Sequence, residues 1–194
     1  MKVMDLVLNK NFYNYVGCIM FGGGDGSNQS IGTTYVRAMG YHTGQFPCVC
    51  TAIDGTAITN LYFRINSSSP NTSYNHSLFS FNYSDSDGVR CIKFICGSGT
   101  TAATVDDTAL VTPNSNITAT IDTGKRDTAN SMIFTVTFSA STEQILNEIG
   151  LVRELYTGIY YPTLLGRAVL DEPVTLDSEH SLTLQIRLSL PIPQ

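Results

Sequence analysis

The stretch "SLTLQIRLSL", residues 181–190, decides the fold class because it alternates with a period of two. The apolar residues of this stretch all share one parity: they are Leu182, Leu184, Ile186, Leu188 and Leu190. In a β-strand, successive side chains point to opposite faces. The pattern therefore predicts a strand with one face on a core and the other open to water or to a partner.

The stretch "MIFTVTF", residues 132–138, has the same pattern, with Phe134, Val136 and Phe138 on one parity. We expect it to line the same core. From about residue 34 onward, similar short stretches are separated by turn residues: "TYVRAM", "FPCVCTAI", "NLYFRI", "SLFSFNY", "VRCIKFI", "ITATI", "ILNEIGLVREL" and "LLGRAVL". Many short strands at such spacing predict an all-β protein, a β-sandwich or jelly-roll-like fold.

The N-terminal part differs, because "NFYNYVGCIM", residues 11–20, has the apolar spacing of a short amphipathic helix. Asn9 or Asn11 is available as its N-cap and Gly22 as its stop. The glycine-rich "FGGGDGSNQSIGTT" follows it. We expect residues 1–33 to form an arm, a short helix and a glycine-rich loop, and residues 34–194 to form a single β-sandwich domain.

The arm and the glycine-rich loop are candidates for contacts between subunits, because apolar residues that could add a strand to another sheet lie beside a loop that is costly to order. The candidate contact residues are Val3, Leu6, Leu8, Phe21, Gly22, Gly23 and Gly24. The alternative is that the arm folds back on its own sandwich, as termini commonly do.

The composition narrows the class of protein. The chain has 194 residues, of which 42% are hydrophobic and only 14% charged, with a net charge of −5. The cationic residues are scattered singly, which argues against direct binding of nucleic acid. No apolar run is long enough to span a membrane and no secretory leader is evident, so we expect synthesis in a cytoplasm with reduced thiols.

The stretch "FICGSGTTAATVDDTAL", residues 94–110, raises the question of a phosphate-binding loop. A strand precedes its glycines, as in such loops, but the Lys and the spacing of a P-loop are absent. The residues after Gly99 are turn formers that end at Pro113. The pattern favours an ordered structural loop, with Gly97, Gly99, Thr100 and Asp107 as its characteristic residues.

Candidate chemistry is sparse in the sequence. A four-thiolate zinc site from Cys48, Cys50, Cys91 and Cys96 has poor spacing, since Cys91 and Cys96 fall on opposite faces of a strand. Buried free thiols are the favoured interpretation. No nucleophile motif accompanies the 3 histidines. We therefore expect no catalytic residue, no metal and no cofactor.

Glu148 in "NEIGLV" stands out because it lies inside an apolar run. A carboxylate there needs backbone or arginine donors if it is buried. Arg153 and Arg167 are both possible partners, and we expect the role of Glu148 to be structural.

The order of these segments resembles a layout found in structural proteins of tailed bacteriophages. In that group a G-x-G-T-T segment leads to D-T-A-L, and an E-x-G-L segment leads to a hydrophobic-Ala-Arg strand and a final alternating strand. The corresponding stretches here are "CGSGTTAATVDDTAL", "NEIGLV", "LLGRAVL" and "SLTLQIRLSL". The resemblance covers roughly residues 94–192, with a weaker similarity in "LVLNKNFYNYV", and does not extend to residues 34–93.

The resemblance implies a non-enzymatic virion component, made in the host bacterial cytoplasm, that binds neighbouring capsid, neck or tail proteins and copies of itself. Capsid decoration protein and neck or tail accessory protein are the positions it allows. One alternative is a glycan- or receptor-binding appendage module that uses aromatic residues such as Tyr74, Phe79 and Tyr83. A third is a depolymerase with Asp171 and Glu172 as paired carboxylates.

Overall fold

The computed structural model describes residues 3–21, 44–63, 92–128, 130–156 and 159–190. The helix and strands are β1 (Val3–Asp5), β2 (Val7–Leu8), α1 (Lys10–Phe21), β3 (Gly44–Thr51), β4 (Ala57–Phe63), β5 (Lys93–Gly97), β6 (Ile117–Arg126), β7 (Ser131–Ala140), β8 (Gln144–Tyr156), β9 (Tyr160–Leu176) and β10 (Leu182–Ser189). The chain is all-β with one short helix near its N-terminus, as predicted.

Two four-stranded sheets form the body of the protein. Sheet I has the strand order β1-β10-β7-β6, and sheet II has the order β2-β9-β8-β5. Strands β3 and β4 form a separate antiparallel pair. All neighbours within sheets I and II are antiparallel except β1 and β10, which run parallel.

The main core lies between the two sheets. Phe134 of β7 meets Phe94 of β5 edge to face, with ring centroids 5.8 Å apart. The inward parity of β10 supplies Leu184, Ile186 and Leu188, as the alternation predicts. The fold is therefore a sandwich whose two inner faces share one apolar layer.

The arm belongs to this sandwich. Its two strands bridge the sheets, since β1 pairs with β10 in sheet I and β2 pairs with β9 in sheet II. Leu6 and Leu8 are buried in the main core, so the expectation that they contact another subunit is corrected, and the arm folds back on its own domain. Val3 stays exposed on the outer face of sheet I.

Helix α1 begins at the predicted cap. The backbone N–H of Phe12 donates to Oδ1 of Asn9 at 3.1 Å. Phe12 lies in the main core, and the ring of Tyr15 lies 5.5 Å from the guanidinium of Arg153. The helix ends at Phe21, whose side chain, like Gly22, Gly23 and Gly24, lies outside the described residues, as does the predicted domain boundary at residue 33.

Candidate functional site

The residues that the sequence singles out meet on the outer face of sheet II. Glu148 and Arg167 lie on the adjacent strands β8 and β9, and both side chains point away from the main core. The loop between β5 and β6, residues 98–116, crosses over them. We call the cluster of Glu148, Arg167, Asp107 and this loop the clamp.

Glu148 is fully buried, with 0% of its surface exposed. Its Oε1 accepts hydrogen bonds from the backbone N–H groups of Gly99, at 3.2 Å, and Thr112, at 2.7 Å. Its Oε2 accepts from the N–H of Val111 at 3.1 Å and from Nη1 of Arg167 at 2.9 Å. Four donors thus satisfy the carboxylate, as a buried charge requires.

Arg167 joins this carboxylate to the rest of the loop. Its Nε donates to Oδ2 of Asp107 at 2.7 Å. Its Nη2 donates to the carbonyl oxygens of Thr101, at 2.9 Å, and Ala102, at 2.8 Å. The predicted arginine partner of Glu148 is confirmed as Arg167, whose planar fork can reach all these acceptors at once.

Asp107 forms hydrogen bonds both to Thr104 within its own loop and to Arg167 on β9. Burial raises the pKa of Asp107, but hydrogen bonds from the N–H of Thr104, from Arg167 and from the Thr104 hydroxyl outweigh this effect. The pKa of Asp107 is therefore lowered from its ordinary value. Thr104 Oγ1 lies 3.0 Å from Oδ1 of Asp107, which fixes the turn.

The glycines of the loop are required by the space that Glu148 takes. A Cβ atom at Gly97 would lie 2.5 Å from Oε1 of Glu148 and 2.4 Å from the carbonyl oxygen of Thr112. A Cβ atom at Gly99 would lie 2.6 Å from the same Oε1. Gly97 and Gly99 are buried, whereas Thr100, the next residue of the loop, is exposed to solvent.

These contacts answer the question of the phosphate loop. Backbone N–H groups of a glycine-containing loop do converge on an anion, as in phosphate-binding nests. The anion is the carboxylate of Glu148, which belongs to the chain itself. Chemically, the clamp fixes the loop to sheet II and leaves the bound carboxylate out of contact with solvent.

Asparagines extend the clamp to the N-terminal segment, and the sequence interpretation did not find this role. Nδ2 of Asn9 donates to the carbonyl oxygens of Asp107, at 2.6 Å, and Leu164, at 2.8 Å. Asn11 exchanges two hydrogen bonds with the backbone of Thr51, both at 2.8 Å. The signal available in the sequence was the N-K-N at the start of the helix, which we interpreted as alternative caps.

The candidate cysteines, paired carboxylates and aromatic residues lie outside the clamp or outside the described residues. Cys50 and Cys96 are both buried. Sγ of Cys50 donates to the carbonyl oxygen of Asn11 at 3.6 Å, and burial raises the pKa of Cys96 to about 12. The side chain of Cys48 and all of Cys91 lie outside the described residues, among which no cluster of His, Cys, Asp or Glu could hold a metal ion. Asp171 and Glu172 are exposed on β9, between the residues that pair with Leu146 and Glu148. Tyr74, Phe79 and Tyr83 are not among the described residues.

Within the described ranges, no helix is both long and apolar enough to cross a membrane. Comparison with family models, with curated protein sequences and with solved structures finds no match to the chain.

Proposed function

We propose that the chain is a non-enzymatic structural component of a tailed bacteriophage virion, either a capsid auxiliary or decoration protein or a neck or tail accessory protein. Its partners are the neighbouring virion proteins and further copies of itself. It is made in the cytoplasm of the host bacterium and works in the particle.

The observation that carries this proposal is that the resembling segments contact one another. Gly99 and Asp107 come from the G-x-G-T-T and D-T-A-L segments, Glu148 from the E-x-G-L segment and Arg167 from the Ala-Arg strand. These segments are joined by direct hydrogen bonds in the clamp. The residues that define the resemblance thus hold a loop against a sheet and stabilise the fold. This supports a structural role for the chain.

The surface supports the proposal in a second way. The outer face of sheet I combines short neutral side chains with charges of both signs. Thr120, Thr137 and Thr183 form one row across three strands, and another row carries Lys125, Arg187 and Asp5. Charged groups across an interface favour the correct partner and fix the register of the contact. This composition supports a role in binding a neighbouring subunit.

The test is to locate the chain in purified particles. Particles from lysed host cells are separated on a density gradient, probed with an antibody to this chain and imaged in negative stain. We expect the chain to co-sediment with the particles and the label to occupy a fixed position on head, neck or tail. A chain that stays in the soluble fraction of the lysate contradicts the proposal, and label confined to fibre tips favours the receptor-binding alternative.

A further inference from the structure

The outer face of sheet I is organised in rows that run across the strands. One row contains Lys125 of β6, Ile133 of β7, Arg187 of β10 and Asp5 of β1. The next row contains Thr123, Thr135, Gln185 and Val3. Because paired residues share a face, all eight side chains point away from the core.

Two carboxylates on this face share a single arginine within one chain. Arg187 lies between two carboxylates, at 3.5 Å from Asp5 and 3.3 Å from Asp127. One guanidinium thus serves two acids, and Asp5 remains 66% exposed. The other acid of the face, Asp122, accepts a hydrogen bond from the Thr137 hydroxyl at 2.7 Å.

Lys125 is the complementary charge. It is exposed and makes no ion pair with any of the residues that the structure describes. It lies on β6, at the opposite edge of sheet I from Asp5. Three strand spacings of about 4.8 Å separate the two residues by roughly 14 Å, too far for an ion pair within the chain.

We infer that the outer face of sheet I binds the same face of a second copy of this chain, across a two-fold axis parallel to the strands. This rotation places β6 of one copy over β1 of the other and keeps each row in register. Lys125 then faces the acidic Asp5 of its neighbour, and by symmetry the same pair forms a second time. A two-fold axis across the strands would instead place β6 over β6 and bring like charges together.

The overlap that this axis allows is small. It places the ten-residue β7 over the eight-residue β10 of the neighbour, and the ten-residue β6 over the three-residue β1. At about 4.8 Å between strands and about 3.3 Å per residue, each copy contributes roughly 350 Å², so the two copies bury on the order of 700 Å², which is the range of weak and reversible contacts. Short threonine and serine side chains allow the two sheets to approach to about 10 Å, the usual distance between packed sheets.

The inference also gives a place to one of the arm residues. Val3 is 37% exposed and lies in the row with Thr123, so the two-fold axis puts it against Thr123 of the other copy. Ile133, in the adjacent row, is only 7% exposed within its own chain and comes to lie opposite the stem of Arg187. The Val3 contact lies at the edge of the face and the Ile133 contact near its middle.

The inference rests on the proposed function in that both need copies to meet, yet its test uses the purified full-length chain alone. Sedimentation velocity over a range of concentrations should show a reversible dimer that weakens as salt is raised. Asp5→Lys and Lys125→Glu should each weaken dimerisation at least about tenfold, since each creates two like-charge contacts. An equimolar mixture of the two variants should dimerise like the unmodified chain, because each contact is then again between opposite charges.

Glu172→Lys is the matched control, since it makes the same charge change as Asp5→Lys at an exposed residue of β9 in sheet II and should leave dimerisation unchanged. Circular dichroism and melting curves check that every variant is folded. A chain that sediments as a monomer at its highest soluble concentration overturns the inference, as do variants that dimerise normally. If the mixture of the two variants does not regain dimerisation, the proposed two-fold axis is wrong. If the chain dimerises through this face but is absent from particles, the dimer inference holds and the proposed virion function is wrong.

Discussion

Sheets I and II share one core but differ in what lies on their outer faces. The outer face of sheet II carries Glu148, Gly150 and Val152 under the loop of residues 98–116. The outer face of sheet I carries threonines and charged side chains that are exposed or partly exposed, with Ile133 buried among them. The Glu148–Arg167 ion pair on the first face is buried and fully hydrogen-bonded. The ion pairs on the second face are partly exposed, with Asp127 at 29%, Arg187 at 35% and Asp5 at 66%.

The difference explains the two sequence patterns. A strand with one open face alternates, as β10 does, while a strand covered on both sides contains a continuous apolar run, as β8 does at residues 149–152, directly after Glu148. A carboxylate inside such a run has no route to water. It therefore marks the place where a covering segment supplies donors, which is the role that the β5–β6 loop has for Glu148.

The largest effect should come from neutralising the covered carboxylate. Glu148→Gln keeps the size of the side chain but turns one acceptor oxygen into a donor that faces other donors. We expect a loss of about 3–5 kcal/mol in the free energy of unfolding, as when one partner of a buried ion pair is removed. Urea denaturation followed by circular dichroism measures it.

The control is the same change at a carboxylate that no segment covers. Glu172→Gln alters an exposed residue of β9, where water solvates the carboxylate, and the free energy of unfolding should change by less than about 0.5 kcal/mol. Equal losses for the two variants would mean that the covering loop does not set Glu148 apart.

A smaller loss should follow from filling the space beside the carboxylate. Gly99→Ala places a Cβ atom 2.6 Å from Oε1 of Glu148 and 2.9 Å from Cβ of Val111. We expect a cost of about 1–3 kcal/mol, typical of overpacking. Melting curves or urea titrations of the variant against the unmodified chain measure it.

A double-mutant cycle identifies the atom responsible. In a Glu148→Ala background, the Gly99→Ala change should cost less than in the unmodified chain, because the colliding carboxylate is gone. An unchanged cost in both backgrounds would assign the collision to Val111 or to the backbone instead.

Much of the fold was predictable from local pattern. The parity of Leu184, Ile186 and Leu188 and the apolar stripe of α1 depend on neighbours within a few residues. The buried Glu148 was predictable for the same reason. Its arginine partner could be narrowed to two residues but not chosen, because the choice depends on the register of β8 with β9, which pairs Arg167 with Gly150 and so places it diagonally across from Glu148.

The clamp as a whole was not predictable. The hydrogen bonds of Glu148 to Gly99, Val111 and Thr112 span 49, 37 and 36 residues. The loop precedes β6 and β7 in the chain, whereas Glu148 follows them on β8, which pairs with β5 in sheet II. No local propensity encodes the pairing of β8 with β5 that brings Glu148 beneath the loop. The parallel pairing of β1 with β10 joins the two ends of the described chain and escapes local reasoning in the same way.

The next effect is smaller and depends on pH. The lowered pKa of Asp107 means that its ionised form is favoured in the folded chain. Its contribution is present at pH values above the ordinary aspartate pKa and is lost as the pH falls through the lower, folded-state value. Asp107→Asn should therefore cost about 1.5 kcal/mol near neutral pH, the low end for a hydrogen bond to a charged group.

The difference in the free energy of unfolding between Asp107→Asn and the unmodified chain should shrink as the pH is lowered below about 4, where the carboxylate begins to be protonated. Urea denaturation at several pH values follows it. A difference that grows on acidification would show that Asp107 is not held in its ionised form by Arg167 and Thr104.

The smallest effect should come from the residue next to it. Asp106 forms an ion pair with Lys10, but both side chains are mostly exposed, at 67% and 70%. Water and salt screen such a pair, so Asp106→Asn should cost less than about 1 kcal/mol at low ionic strength and close to nothing at 1 M salt. The Asp107→Asn cost should persist in the same salt, because Arg167 is only 1% exposed. Urea denaturation of the two variants at low and high salt compares adjacent carboxylates of one loop, one facing water and one facing the covered side of sheet II. Equal salt dependence would show that Asp107 is as accessible to solvent as Asp106 and that the clamp is open in solution.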